Sequence, residues 1–222
     1  MRGSPLTSGV LFHVGSIPIT RPVVTTWIIM LTLIVLCRLV TRRLRMQPDA
    51  RQAVLESLVL GIAGQIEAII HRDARPYVPM LGTLFIYLAV ANLCGVLPGV
   101  EPPTGKPETP LALGLIVFFS VHFFGVRARG VRGYLAGFAR PKLIMLPLNI
   151  LSEVTRTFSL MVRLFGNVMS GEFMMALVIA LAGLLVPIPF MVLELLVGLV
   201  QAYIFAVLAT VFIGAAVGGE SI

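Results

Sequence analysis

The chain has 222 residues, of which 58% are hydrophobic and 12% are charged. A soluble core of this size cannot bury so much apolar side chain, so the composition excludes a water-soluble protein and indicates an integral membrane protein. The formal net charge of +7 raises nucleic acid as a partner, but the basic residues flank apolar segments and are not interleaved with stacking aromatic residues, which argues against one.

Five apolar segments predict an all-α integral membrane fold in one polytopic domain, 1–222. A helix needs about 20 apolar residues to cross a hydrocarbon layer about 30 Å thick. We predict five transmembrane helices, of which the last two are long, steeply tilted and joined as a hairpin, plus an amphipathic interfacial helix. The predicted spans are 23–41, 80–97, 111–126, 144–185 and 190–217.

The remaining segments are less apolar. Residues 1–22 mix polar and apolar side chains with Gly and Pro and predict an irregular external segment without a signal peptide. Segment 50–75 places apolar residues at helical spacing, but charged residues interrupt it, which predicts the amphipathic helix at the cytoplasmic interface. Loop 98–110 contains too much proline for helix or strand and predicts a short, stiff external loop.

The basic residues predict one orientation in the membrane. Twelve of the seventeen lie in two connections, after the first and third spans: Arg38, Arg42, Arg43, Arg45, Arg51, Arg72, Arg75, Arg127, Arg129, Arg132, Arg140 and Lys142. By the positive-inside rule these connections are cytoplasmic. The N-terminus, loop 98–110 and turn 186–189 are then outside, and the C-terminus is in the cytoplasm.

No motif indicates a catalytic site, a metal or a cofactor. The chain lacks a His-Glu-x-x-His motif, a Walker-type phosphate loop and any Cys or His cluster at ligand spacing. Cys37 and Cys94 predict two free thiols. His122, near the cytoplasmic end of the third span, is interpreted as an interfacial imidazole bonded to a neighbouring helix. We therefore expect no enzyme activity from the chain itself.

Polar residues inside the last two spans are the candidate functional residues, because a charge at the bilayer centre costs about 2.5 to 3.5 kcal/mol on insertion scales. Glu153 and Arg156, three residues apart, form either an interfacial ion pair or part of a site. Arg163 has no acid three or four residues away on its helix. The full set is Asn149, Glu153, Arg156, Arg163, Asn167, Glu172, Glu194 and Gln201.

Helical geometry sorts these residues into two levels. Asn167 lies one turn beyond Arg163 on the same stripe, whereas Glu172 lies on another face, about 13 Å along the axis from Arg163. Glu194 and Gln201 share a face of the last span. In an antiparallel hairpin, Arg163 is level with Gln201 and Glu172 is level with Glu194. Two carboxylates at close range favour sharing a proton, which suits a proton relay.

The block FSLMVRLFGNVMSGE at 158–172 and the block QAYIF at 201–205 resemble the last two helices of subunit a of rotary F-type ATP synthases. The spacing of the blocks and the plan of the spans extend this resemblance over essentially the whole chain. It implies the membrane stator subunit, located in the inner (plasma) membrane of a bacterium. The implied partners are the c-ring of rotor subunits, peripheral-stalk b-type subunits and the lipid bilayer, without nucleic acid.

The resemblance also implies roles for particular residues. Arg163 is the stator arginine, and its permanent charge forces a passing ring carboxylate to be ionised. Asn167 and Ser159 line the cytoplasmic-side path, and Gln201 is level with the arginine. Glu172 and Glu194 belong to the external half-channel, and Glu153 is an additional cytoplasmic-side candidate.

Two alternatives stay open. The transported ion is expected to be the proton, for which relay groups suffice, with sodium as the alternative. A small secondary ion transporter also places charges near the midplane, but it predicts internal duplication and discontinuous helices, which the sequence does not show.

Overall fold

The computed structural model describes residues 10–14, 17–42, 50–95, 102–138, 146–182 and 187–218. Residues Arg43, Arg45, Arg140 and Lys142 and the turn between the last two helices lie outside these ranges. The elements are strands β1 (Val10–Val14) and β2 (Ile17–Thr20), helices α1 (Arg21–Thr41), α2 (Ala50–Ile70) and α3 (Val78–Gly95), a 3₁₀ turn (Pro103–Gly105), and helices α4 (Glu108–Phe138), α5 (Leu146–Ala182) and α6 (Pro187–Gly218).

The membrane-embedded part is helical, as predicted. Within the described residues, six helices are long and apolar enough to cross a membrane, and α2 is one of them. Ile66 and Ile70 of α2 are buried, whereas Val54 and Leu60 are 70% exposed. The division into five transmembrane helices and one interfacial helix therefore stays a prediction.

The prediction of an irregular N-terminal segment is wrong for the residues that are described there. Strands β1 and β2 form an antiparallel pair in which Val10 lies opposite Thr20 and Val14 lies opposite Ile17. Both strands are rich in β-branched residues, which favour extended backbone. Glycine and proline, including Pro18 within β2, suggested irregular backbone, but the extended pairing forms around them.

Helix α6 lies at the centre of the bundle and packs against α2, α3, α4 and α5. Its residues Ala202, Phe205, Ala209 and Ile213 follow helical spacing and are completely buried. They belong to one hydrophobic cluster with residues of α1 to α5. The central position of α6 buries its polar residues Gln201 and Thr210 inside the bundle.

The 3₁₀ turn corrects the prediction of a simple external loop. Pro103, Thr104 and Gly105 are all buried, and the turn packs against α1, α3, α4 and α5. Proline at the start of the turn sets the backbone angle that a 3₁₀ turn needs. The loop therefore enters the bundle and forms part of its interior.

Helix α4 changes direction at Gly130, whose φ of 72° and ψ of 160° are not helical. A positive φ is strained for residues with a Cβ atom, so glycine suits this corner. Beyond it, the ring of Tyr134 packs against Gly125 so closely that a Cβ atom there would collide with it. The ring also lies 5.9 Å from that of His122, so the end of α4 folds back on the same helix.

Candidate ion-translocation site

Helix α5 presents Arg163 outward. Thr157, Leu160, Leu164 and Val168 form its buried stripe at spacings of three and four residues. Arg163 lies beside Leu164 but is exposed on the isolated chain, as are most residues on the other faces of the helix. A long apolar helix that buries only one stripe in its own chain leaves a wide face for lipid or for another protein.

Arg163 has no compensating charge within the described part of the chain. No described residue forms a hydrogen bond or an ion pair with it. Among the described residues Glu153 and Arg156 form no ion pair, and the guanidinium of Arg156 lies 5.8 Å from the ring centre of Phe212. Glu153 accepts a hydrogen bond from the Thr157 hydroxyl through its backbone carbonyl at 3.1 Å.

Arg163 lines a cavity of mixed polar and apolar residues, here called the Arg163 cavity. The cavity has a volume of about 450 Å³, which has room for water. Ser159 also lines this cavity. Its lining consists of Leu148, Leu151, Ser152, Thr155, Arg156, Ser159, Leu160, Arg163, Leu208 and Phe212.

A second cavity, here called the Glu194 cavity, begins one turn further along α5. It has a volume of about 220 Å³ and is lined by residues of α3, α5, α6 and the 3₁₀ turn. Asn167 lines this cavity together with Ser170 and Gly171, and not the cavity of Ser159. The structure therefore places Asn167 on the Glu194 side, whereas the resemblance implied a place beside Ser159.

The two cavities have no lining residue in common. Between them lie Leu164 of α5 and Ala202 and Phe205 of α6, all completely buried in the hydrophobic cluster. Gln201 belongs to the same level of α6, between the residues that line one cavity and those that line the other. A fully buried apolar layer therefore lies between the two cavities, and Arg163 is next to its residue Leu164.

Gln201 is the buried polar residue at this boundary. It is 6% exposed, and its Nε2 atom has no hydrogen-bond partner within the described part of the chain. A buried unpaired donor costs about 1 to 3 kcal/mol, and such groups in native proteins call for an explanation. The unpaired amide therefore keeps Gln201 among the candidate functional residues.

Glu172 lines a third cavity of about 230 Å³, separate from that of Glu194. Its carboxylate lies against Gly105 of the 3₁₀ turn, where a Cβ atom would be 2.5 Å from Glu172 Oε1. Lys106 lines the same cavity. Glu172 belongs to the turn of α5 that Glu194 of α6 contacts at Gly171. The two carboxylates nevertheless line different cavities.

Sequence analysis missed two residues of the Glu194 cavity. Asn92 of α3 donates a hydrogen bond from Nδ2 to the Gly198 carbonyl at 2.7 Å, and its Oδ1 accepts one from the Thr104 hydroxyl at 3.0 Å. Asn92 stands near the C-terminal end of the apolar helix α3, and the rule that singled out Arg163 also applies to it. Thr104 carried no such signal, because its burial follows from the fold of the loop.

The structure also describes the other residues that the sequence singled out. Asn149 is half-buried near the start of α5. His122 Nδ1 lies 2.8 Å from the Phe118 carbonyl of its own helix. Cys37 and Cys94 are free thiols, as predicted. Among the described residues, no three His, Cys, Asp or Glu side chains come together as a metal site.

Comparisons with known proteins identify the family of the chain. The sequence model of the family described as ATP synthase A chain matches residues 23–214. The chain is 74% identical over 218 residues to ATP synthase subunit a 2 of Bradyrhizobium sp. (strain BTAi1), with 98% of each chain covered. It is 46% identical to ATP synthase subunit a 1 of Hahella chejuensis, over 95% of this chain and 90% of the relative. It is 48% identical to ATP synthase subunit a 2 of Acaryochloris marina, over 91% and 87%. The chain therefore belongs to the ATP synthase A chain family, the subunit a family of F-type ATP synthases.

Proposed function

We propose that the chain is the ion-translocating stator subunit of its ATP synthase and forms two offset half-channels that lead to a rotor ring. The Glu194 cavity belongs to the external half-channel, and the Arg163 cavity belongs to the cytoplasmic one. In this assignment the N-terminus lies outside and the C-terminus lies in the cytoplasm of a bacterial cell. The family membership argues against the alternative of a small secondary transporter.

The position of Arg163 carries this proposal. The residue is exposed, has no partner in the described chain and lines one cavity one helical turn before Asn167 lines the other. An uncompensated guanidinium at membrane depth is costly, so a partner outside the chain has to supply the negative charge. The carboxylate of a c-ring subunit passing along the open face of α5 meets this need.

The positive charge of Arg163 then determines the order in which the ring carboxylate releases and takes up its ion. A carboxylate about 4 Å from the guanidinium gains about 4 kcal/mol at an effective dielectric constant of 20, roughly a thousandfold in favour of its ionised form. The ring carboxylate therefore releases its ion into the cytoplasmic half-channel before it passes Arg163. It takes up the next ion from the external half-channel after it has passed. The same fixed cation and the apolar layer beside it oppose direct leakage between the cavities.

The external half-channel uses carboxylates to relay the ion. Glu172 and Glu194 accept ions from their cavities, and Asn92 and Thr104 hold the wall of the Glu194 cavity in place. Proton transfer between acids needs only short hops through water or hydroxyl groups. We favour the proton as the transported ion, with sodium as the alternative. The chain carries no catalytic role of its own in this proposal.

The test measures ATP-driven ion pumping and ATP synthesis by the assembled complex in membrane vesicles. Arg163→Ala is expected to abolish synthesis while the complex still assembles, and Arg163→Lys is expected to be strongly impaired because a buried lysine can lose its proton. Arg132→Ala, at an exposed cytoplasmic position, is the control. Retained synthesis in Arg163→Ala would refute the assignment, and pumping that requires sodium would decide for the alternative ion.

A further inference from the structure

The side chain of Arg129, at the cytoplasmic end of α4, binds the end of α6. Its Nη2 atom donates to the Ala215 carbonyl at 3.0 Å, and its Nε atom donates a longer bond to the Val217 carbonyl at 3.4 Å. The last four carbonyls of a helix have no partner within the helix. A cation there also interacts favourably with the helix dipole. Arg129 therefore caps α6 from another helix.

The corner of α4 is what brings Arg129 to this place. The turn follows directly at Gly130, whose positive φ redirects the chain. The returning segment places Gly137 beside the guanidinium, since a Cβ atom at Gly137 would lie 3.3 Å from Arg129 Nη1. The guanidinium is thus held between the folded-back end of α4 and the last turn of α6. By contrast, Arg127 and Arg132 are exposed.

A second side chain holds α6 from another direction. Asn92 binds the Gly198 carbonyl, three residues before Gln201, whereas Arg129 binds the helix fourteen residues beyond it. These two attachments therefore lie on either side of Gln201 along α6, and Gln201 lies at the boundary between the two cavities. A slip by one residue moves a helix by about 1.5 Å along its axis, enough to shift Glu194 away from Gly171.

We infer that Arg129 is a positioning residue that fixes the axial position of α6 and, with it, the level of Glu194 and Gln201. A stator needs such a device, because a rotor turning against α5 and α6 drags on them. The functional part of this inference rests on the proposed function. The attachment itself is structural and can be measured without ion transport.

The test compares Arg129→Gln with Arg132→Gln, which removes the same charge from an exposed position. The first readout is amide hydrogen exchange of the last turns of α6 in the assembled complex. Loss of a charged cap is expected to speed exchange there roughly fivefold in Arg129→Gln and to leave it unchanged in Arg132→Gln. Arg129→Lys keeps one charged donor and is expected to fall between them.

The second readout distinguishes positioning from local capping. In a Cys37→Ala, Cys94→Ala background, Gly171→Cys and Glu194→Cys place thiols at a close contact, since a Cβ atom at Gly171 lies 3.4 Å from Glu194 Cγ. The Arg129→Gln change is expected to lower the disulfide yield about threefold, because a shift of α6 takes the pair out of bonding range.

Equal disulfide yields in the Arg129→Gln and Arg132→Gln backgrounds would overturn the inference, even if exchange at the helix end changed. The disulfide pair replaces Glu194 and needs no ion transport. The disulfide yield therefore tests the positioning role of Arg129, whereas the Arg163 experiment tests the proposed function, and either can fail without the other.

Discussion

Glu194 of α6 lies with its carboxylate directly on the backbone of Gly171 of α5. A Cβ atom at Gly171 would be 2.5 Å from Oε1 and 3.0 Å from Cδ of this acid. Only glycine leaves room for the carboxylate at this level. The contact agrees to within one residue with the predicted level of Glu194 beside Glu172, although the two acids line different cavities.

Gly171→Ala is therefore expected to displace the Glu194 side chain and to lower ATP synthesis several-fold. The helix itself has no reason to weaken, since alanine favours helix over glycine by about 1 kcal/mol. The measurement is ATP synthesis per assembled complex, quantified after solubilisation. Gly64→Ala on α2, where a Cβ atom meets nothing within 4 Å, is the matched control. Full activity of Gly171→Ala would show that the position of Glu194 is unimportant.

Removing the two acids separately and together tests the relay. Glu172 and Glu194 line different cavities, so each single change to Gln leaves one route for the ion to enter. We expect Glu172→Gln and Glu194→Gln each to slow ion-driven synthesis and the double variant to slow it more than either. Glu67→Gln, at an exposed position of α2, controls for charge loss. An unimpaired double variant would count against the relay.

The positions of Arg163, Glu194 and Gln201 along their helices were predictable because they depend only on residue spacing within α5 and α6. Arg163 was identified from its missing partner, and the separation of Glu194 and Gln201 placed both on one face. The spacing of residues in the sequence does not predict the path of a loop. The burial of Thr104 depends on how the proline-rich segment packs against four helices at once, and the attachment of Arg129 to α6 depends on a single left-handed glycine.

The hydrogen bond between Thr104 and Asn92 predicts a stability effect. Thr104→Val keeps the shape of the completely buried side chain but leaves Asn92 Oδ1 without this donor, which costs about 1 to 3 kcal/mol. We expect a lower thermal inactivation temperature of the complex. Thr155→Val removes a hydroxyl that is exposed and bonded only within its own helix, and it should change the temperature little. Equal changes in inactivation temperature for the two variants would mean that the buried hydrogen bond stabilises the complex no more than the exposed one does.

Cysteine labelling tests the assignment of the cavities to the two sides of the membrane. In a Cys37→Ala, Cys94→Ala background, Lys106→Cys opens into the cavity of Glu172 and Ser159→Cys opens into the cavity of Arg163. If the former is external and the latter cytoplasmic, a membrane-impermeant maleimide labels Lys106→Cys in intact cells and Ser159→Cys in inverted vesicles. The apolar layer at Leu164 and Phe205 predicts that neither cysteine reacts from the opposite side. Labelling of Lys106→Cys from the cytoplasm would reverse the orientation. Labelling of Ser159→Cys from both sides would mean that water crosses the layer, in which case Arg163 could not separate two half-channels.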